Sequence, residues 1–112
     1  MKLTRYVFFI IFIGYSTTLA GDKVVLPANN RIFFNEQDCY EVMELHYSWN
    51  IEFAAQLREM EKNGKFIKNP QASPITVLET KSYRMHNYYK ISIYNDSTKQ
   101  DDIVWTDAAK LD

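Results

Sequence analysis

Three side chains in this 112-residue chain are of the kind that make a nucleophile or its base: Cys39, His46 and His86. A thiol enzyme needs an imidazole within hydrogen-bond reach of the sulfur to hold the thiolate. On a helix Cys39 and His46 share a face but lie two turns apart, about 10 Å at 1.5 Å per residue, so they cannot touch. Cys39 therefore reads as a small core residue. Glu44, His46 and His86 could offer carboxylate and imidazole to zinc, but no tight ligand spacing links them, and Glu44 and His46 face the same way only in a strand. Asn95, Asp96, Asp101 and Asp102 make a carboxylate-rich turn without EF-hand spacing, and the expectation is a solvated turn. The glycines, Gly14, Gly21 and Gly64, are too scattered to cradle a phosphate. The expectation is a non-catalytic protein without metal or cofactor.

Aromatic surface is the remaining candidate chemistry. Tyr83, Tyr88, Tyr94 and Trp105 fall in or beside the last third of the chain, and such rings offer large contact area with a polar tip. In a strand over 88–94, Tyr89, Ile91 and Ile93 face one side, and Tyr88, Lys90, Ser92 and Tyr94 the other. The first trio is the more apolar and should take the core, leaving Tyr88 and Tyr94 outside with Trp105 near their edge. Tyr88, Tyr94 and Trp105 are the candidate binding residues.

The elements that hold these residues must come from a short chain. Hydrophobic residues make up 46%, charged residues 24%, and Gly and Pro three each, a globular balance with room for one domain. Lys2 and Arg5, the apolar run from Tyr6 to Ile13 and the exit Thr18-Leu19-Ala20 have the anatomy of a secretory signal peptide, with cleavage expected after Ala20. The run is too short to cross a bilayer, and no other segment comes closer, so no transmembrane helix is expected in the mature chain. Gly21 stands where a lipoprotein would need Cys. Of 13 basic and 14 acidic residues, the leader takes two basic and no acidic ones, leaving 11 against 14 and a formal charge of −3 over 21–112. That balance argues against nucleic acid as a partner. A lone cysteine forbids an internal disulfide, which favours a bacterial periplasm over animal secretion. Asn95-Asp96-Ser97 matches the N-glycosylation pattern, but the tripeptide is common by chance.

Turn signals at Pro27-Ala28-Asn29-Asn30 and from Asn63-Gly64 to Pro74 divide residues 21–112 into three blocks. Lys23 to Leu26 and Arg31 to Phe34 read as short strands around the first turn. In the middle block two templates compete. Cys39, Val42, Leu45, Trp49, Phe53, Leu57 and Met60 form a helical stripe, with Asn35 as cap and Gly64 as stop. Residues 43–53 also alternate without error as a strand would. The helical stripe covers more of the block and predicts one helix over about 36–62, with 53–62 helical on either template. The third block reads as a β-meander, Ile75 to Glu79, Tyr88 to Tyr94 and Ile103 to Trp105, with turns over 81–87 and 95–102. A short helical turn over 107–111 should bring Leu111 back onto the sheet.

Ile75-Thr76-Val77-Leu78-Glu79, His86-Asn87-Tyr88-Tyr89-Lys90-Ile91 and Val104-Trp105-Thr106-Asp107-Ala108-Ala109-Lys110-Leu111 together resemble the second half of a bacterial SH3-like (SH3b-type) domain. In that family a "V-L" strand leads to "N-G-W-Y-K-V" and "G-W-V", closed by a short turn ending in Leu. Trp105 to Leu111 matches the family's spacing. Asn87-Tyr88 stands in place of Gly-Trp, Val104 in place of Gly, and the early "L-N-V-R" strand is missing. The resemblance implies a small antiparallel β-barrel, so the expected class is α+β: an SH3-like or related barrel or meander with one helix inserted. The expected function is that of a secreted or periplasmic binding protein engaging an envelope protein partner or cell-wall peptide. The alternative is an immunity or inhibitor protein that neutralises a toxin or hydrolase.

Overall fold

The structure, a computed structural model, describes residues 20–47, 52–108 and 111. The expected leader up to residue 19, Trp49 of the helical stripe and Lys110 lie outside the described residues. The chain is an α+β protein. Its strands are β1 (Lys23–Leu26), β2 (Arg31–Phe33), β3 (Phe66–Lys68), β4 (Ser73–Tyr83), β5 (His86–Asn95) and β6 (Gln100–Thr106); its helices, α1 (Glu36–Tyr47) and α2 (Phe53–Lys62), lie between β2 and β3. All strand pairs are antiparallel in one open sheet of order β1-β4-β5-β6-β2-β3. Among the described residues no helix is long and apolar enough to cross a membrane.

Local chemistry explains the helix ends. Asn35 accepts the backbone N–H of Asp38 at 2.9 Å, and its amide donates to the Asp38 carboxylate at 3.0 Å, so one side chain caps α1 and steadies its first turn. At the end of α2, Gly64 adopts φ +77° while its N–H bonds the Glu61 carbonyl and that of Lys65 the Met60 carbonyl, both at 3.0 Å. This is a Schellman stop, which a left-handed glycine makes without steric cost. The middle block is thus two helices rather than the expected one. Residues 43–47 are helical and Phe53 opens α2, so at these described positions the alternating pattern is not a strand.

The meander exists with longer strands and a tighter first turn than expected. β4 and β5 continue to Tyr83 and from His86, joined by Arg84 and Met85 alone. Both adopt positive φ, +48° and +70°, the geometry of a two-residue hairpin that Asn-Gly would have signalled. β3 was not anticipated: it lies inside the 63–74 stretch that reads as turn. β1 and β2, although joined by four residues, do not pair with each other.

That last fact requires curvature. β1 and β3 are opposite edges, five strand spacings or about 24 Å apart in a flat sheet. Yet Asn69, just past β3, donates its amide to the β1 carbonyl of Leu26 at 3.0 Å and to Pro27 at 3.2 Å. The sheet therefore curls until its edges nearly meet. Leu26, Ile32, Ile75, Val77, Tyr89, Ile91 and Val104 fill the concave side, joined by Ala108 and Leu111 from the C-terminal segment. The convex side carries a second core, in which Phe33, Phe66, Tyr88 and Trp105 meet Cys39, Val42 and Met43 of α1 and Met60 of α2. The expected apolar stripe of α2 holds at Met60, which is buried, while Leu57 is half-buried.

A bulge between Val77 and Glu79 decides which β4 side chains reach the helices. Val77 points inward opposite Ile91, but beyond the bulge Glu79 pairs with Lys90 and Lys81 with Tyr88, so the odd-numbered positions switch to the convex side.

Candidate functional site

The three aromatic candidates do share the convex side, as strand parity requires, but α1 divides them. Tyr88 is 4% exposed and Trp105 8%, whereas Tyr94 is 54% exposed. The expectation that Tyr88 stands in water is therefore corrected. Parity selects a side of the sheet; the helices, contributed by another block, cover only part of that side.

Around Tyr88 the first turn of α1 is tied to the sheet. The Tyr88 hydroxyl and the Lys81 ammonium both donate to the same Glu36 carboxylate oxygen, each at 2.9 Å. Tyr88 and Trp105 rings lie 5.8 Å apart, and Lys81 and Lys90 sit over the Trp105 ring at 5.3 and 6.0 Å. The Lys81 hydrogen bond holds the Glu36 carboxyl below its ordinary value against the opposing effect of burial, with Tyr88 assisting. Burial first, then the hydrogen bond to Glu36, pushes the Tyr88 phenol up. The Glu36 bond likewise raises Lys81. An anchored carboxylate, a neutral phenol and a charged ammonium make a clamp, not a proton-transfer pair.

Beyond the helices, which pack on β2, β3 and β6, the convex side continues uncovered. Val25 pairs with Pro74, and continuing the β4–β5 register places Tyr94 opposite Pro74 and beside Asp101. One step along, Lys23, Thr76, Ser92 and Ile103 form the adjacent row. Val25, Tyr94 and Ile103 are each more than half exposed. With cross-strand neighbours about 5 Å apart, Val25, Pro74 and Tyr94 form an apolar row over three strands, while Ile103 on the fourth stands diagonal to Tyr94, about 7 to 8 Å away, with Ser92 opposite it and Asp101 beside it. Ile103 and Val25 escape sequence reading because their adjacency depends on strand order.

A second feature lies at the opposite end of the convex side. A pocket of about 350 Å³ opens between α1 and the sheet, with Val42, Met43 and His46 on one wall and His86, Asn87, Arg31 and Asp107 on the other. Asn29 and Asn30 of the β1–β2 turn complete its rim. Arg31 donates through Nε and Nη2, at 3.0 and 2.8 Å, to the same oxygen, Oδ2, of Asp107. The two histidines thus share a pocket, but Glu44 does not line it. Helical geometry turns Glu44 away from His46, two residues on. Among the described residues no cluster of three or more His, Cys, Asp or Glu side chains is arranged to hold a metal.

Cys39 is fully buried in the convex core, and burial pushes its thiol well up, which is the state of an inert packing residue. Asn95 accepts the backbone N–H of Ser97 at 2.9 Å and donates to Asp102 at 2.8 Å, so its side chain organises the β5–β6 turn. Comparison with protein-family models, curated proteins and solved structures finds no match for the chain.

Proposed function

We propose that this chain is a non-catalytic binding module of SH3-like type, exported to a bacterial periplasm after loss of residues 1–20, which grips a protein partner through the uncovered sheet surface of Val25, Pro74, Tyr94 and Ile103. The observation that carries the reading is that surface: the exposed apolar row of Val25, Pro74 and Tyr94 with Ile103 diagonal to it on a regular sheet, whereas singly scattered apolar residues would need no explanation. The curled antiparallel sheet suits the SH3-like assignment. The anatomy of residues 1–20 and the lone cysteine support the address.

The test is capture from envelope extracts of the source organism with the wild-type chain and with Ile103→Asp. A saturable partner, retained by the wild type and lost by a variant that melts at the same temperature, supports the reading. A hydrolase or toxin captured in equal stoichiometry would place the module among inhibitors; an assembly subunit or wall component would make it an envelope adaptor. Equal capture by both chains would remove the sheet surface from the interaction.

A further inference from the structure

The expected end of the leader meets the sheet at a defined point. Gly21 donates its backbone N–H to the Val77 carbonyl at 2.6 Å, and the Asp22 carbonyl accepts the Val77 N–H at 2.8 Å. These bonds continue the β1–β4 ladder, whose register runs from Lys23 opposite Thr76 to Leu26 opposite Ser73. The two residues that follow the Ala20–Gly21 bond are therefore held by the edge of β4. At its other end β1 is fixed by Leu26, which is fully buried and whose carbonyl accepts the Asn69 amide at 3.0 Å. Gly21 also adopts φ +91°, in the left-handed region.

Both features bear on hydrolysis of that bond. An extended peptide is gripped as an added strand, through its backbone N–H and C=O groups and with negative φ, and a peptidase must grip the residues on both sides of the bond that it cuts. Here the Gly21 N–H and the Asp22 carbonyl are spent on Val77, and Gly21 is bent out of the extended region. Burial is not the obstacle, because Ala20 and Gly21 are both exposed. Cutting the folded chain needs the start of β1 to open, so its rate follows the open fraction. The cut itself costs the sheet nothing. The Ala20 C–Gly21 N bond breaks, the water oxygen joins the Ala20 carboxylate, and both water protons end on the Gly21 nitrogen as an ammonium, which still has a hydrogen for the Val77 carbonyl.

We infer that the Ala20–Gly21 bond is a processing site which the fold itself closes: a membrane signal peptidase cuts it while residues 20–22 are unpaired, and the pairing of Gly21 and Asp22 with Val77 takes it out of reach. The inference rests on the reading of residues 1–20 as an export leader. β4 follows β1, β2, both helices and β3 along the chain, so the bond stays open until β4 has been delivered. A chain cut before then is released; a chain that folds first keeps its apolar leader and stays at the membrane.

The test uses three full-length chains, all carrying Met1 to Ala20, with purified bacterial signal peptidase in detergent micelles. They are the folded wild type, the same chain with Gly-Ser-Gly-Ser inserted between Ala20 and Gly21, and Ile91→Asp, whose charge in the fully buried concave core keeps the chain unfolded. Circular dichroism verifies the folded and unfolded states, and mass spectrometry reads the position and rate of cutting. Ile91→Asp and the folded insertion variant should be cut after Ala20 at similar rates. The folded wild type should be cut at least about tenfold more slowly, the factor that two ordinary hydrogen bonds impose on local opening. A folded wild type cut as fast as Ile91→Asp overturns the inference and leaves the leader reading intact. An insertion variant as slow as the folded wild type overturns it too, because the spacer has moved the bond off the sheet edge. Failure of all three chains to be cut after Ala20 removes the leader reading, and the inference with it.

Discussion

Tyr88 and Tyr89 are adjacent in sequence and buried on opposite sides of one sheet, Tyr88 beneath α1 with its hydroxyl on Glu36 and Tyr89 inside the concave core. At that point the sheet has no solvent side. Tyr88→Ala should accordingly destabilise the fold by about 3 to 5 kcal/mol, the range for deleting a large buried ring, while Tyr94→Ala should stay within about 0.5 kcal/mol, as at other surface positions. Urea unfolding of both variants decides it. Equal, small losses would mean that α1 does not cover Tyr88 in solution.

The Arg84–Met85 hairpin asks two side-chain-bearing residues to adopt a left-handed backbone. Such residues pay roughly 1 kcal/mol or more each for that conformation. Replacing the pair with Asn-Gly should raise the melting temperature by at least about 4 °C, given that 1 kcal/mol moves a domain of this size by roughly 4 to 8 °C. A lower melting temperature would show that the native pair makes contacts worth more than its strain.

Asn69 closes the seam between the sheet edges. Besides its amide bonds to Leu26 and Pro27, its backbone donates to Asn30 at 2.8 Å and accepts from Asn29 at 2.7 Å. Asn69→Ala would strand the buried Leu26 carbonyl, and each such group costs about 1 to 3 kcal/mol. Denaturant unfolding should show a loss in that range, with hydrogen exchange accelerated first in β1. Unchanged stability would mean that water replaces the amide at no cost.

The Glu36 clamp gives the fold a pH dependence of definite sign. The folded carboxyl titrates below its ordinary value of 4.5, so its contribution is complete above that value and is lost as pH falls through the lower, folded one. The carboxylate is more than a third exposed, which keeps the effect small and sensitive to salt. Melting temperature followed from pH 7 downward should fall less steeply for Glu36→Gln than for wild type. Parallel curves would show that the Lys81 and Tyr88 contacts contribute nothing in solution.

Local signals in the chain determined the α+β class, the start of α1 and the stop of α2, the positions of β1, β2, β5 and β6 to within a few residues, the inward set of Tyr89 and Ile91, and the burial of Cys39 and Leu111. Each depends on residues close in sequence: a cap at Asn35, a left-handed Gly64, the period-two alternation of β5. Tertiary structure alone decided the fate of Tyr88, because α1 comes from another block and covers only part of the side that parity selects. It also decided the β4 bulge, which turns Lys81 toward Glu36, and the hairpin at Arg84–Met85, where packing of the flanking strands overrides turn propensity. The uncovered row of Val25, Pro74 and Tyr94, and the pocket joining Asn29, Asn87 and Asp107, assemble residues from distant segments. Their neighbourhood follows from the order β1-β4-β5-β6-β2-β3, and strand order is set by the joint burial of two cores, a property of the whole chain that no local pattern carries.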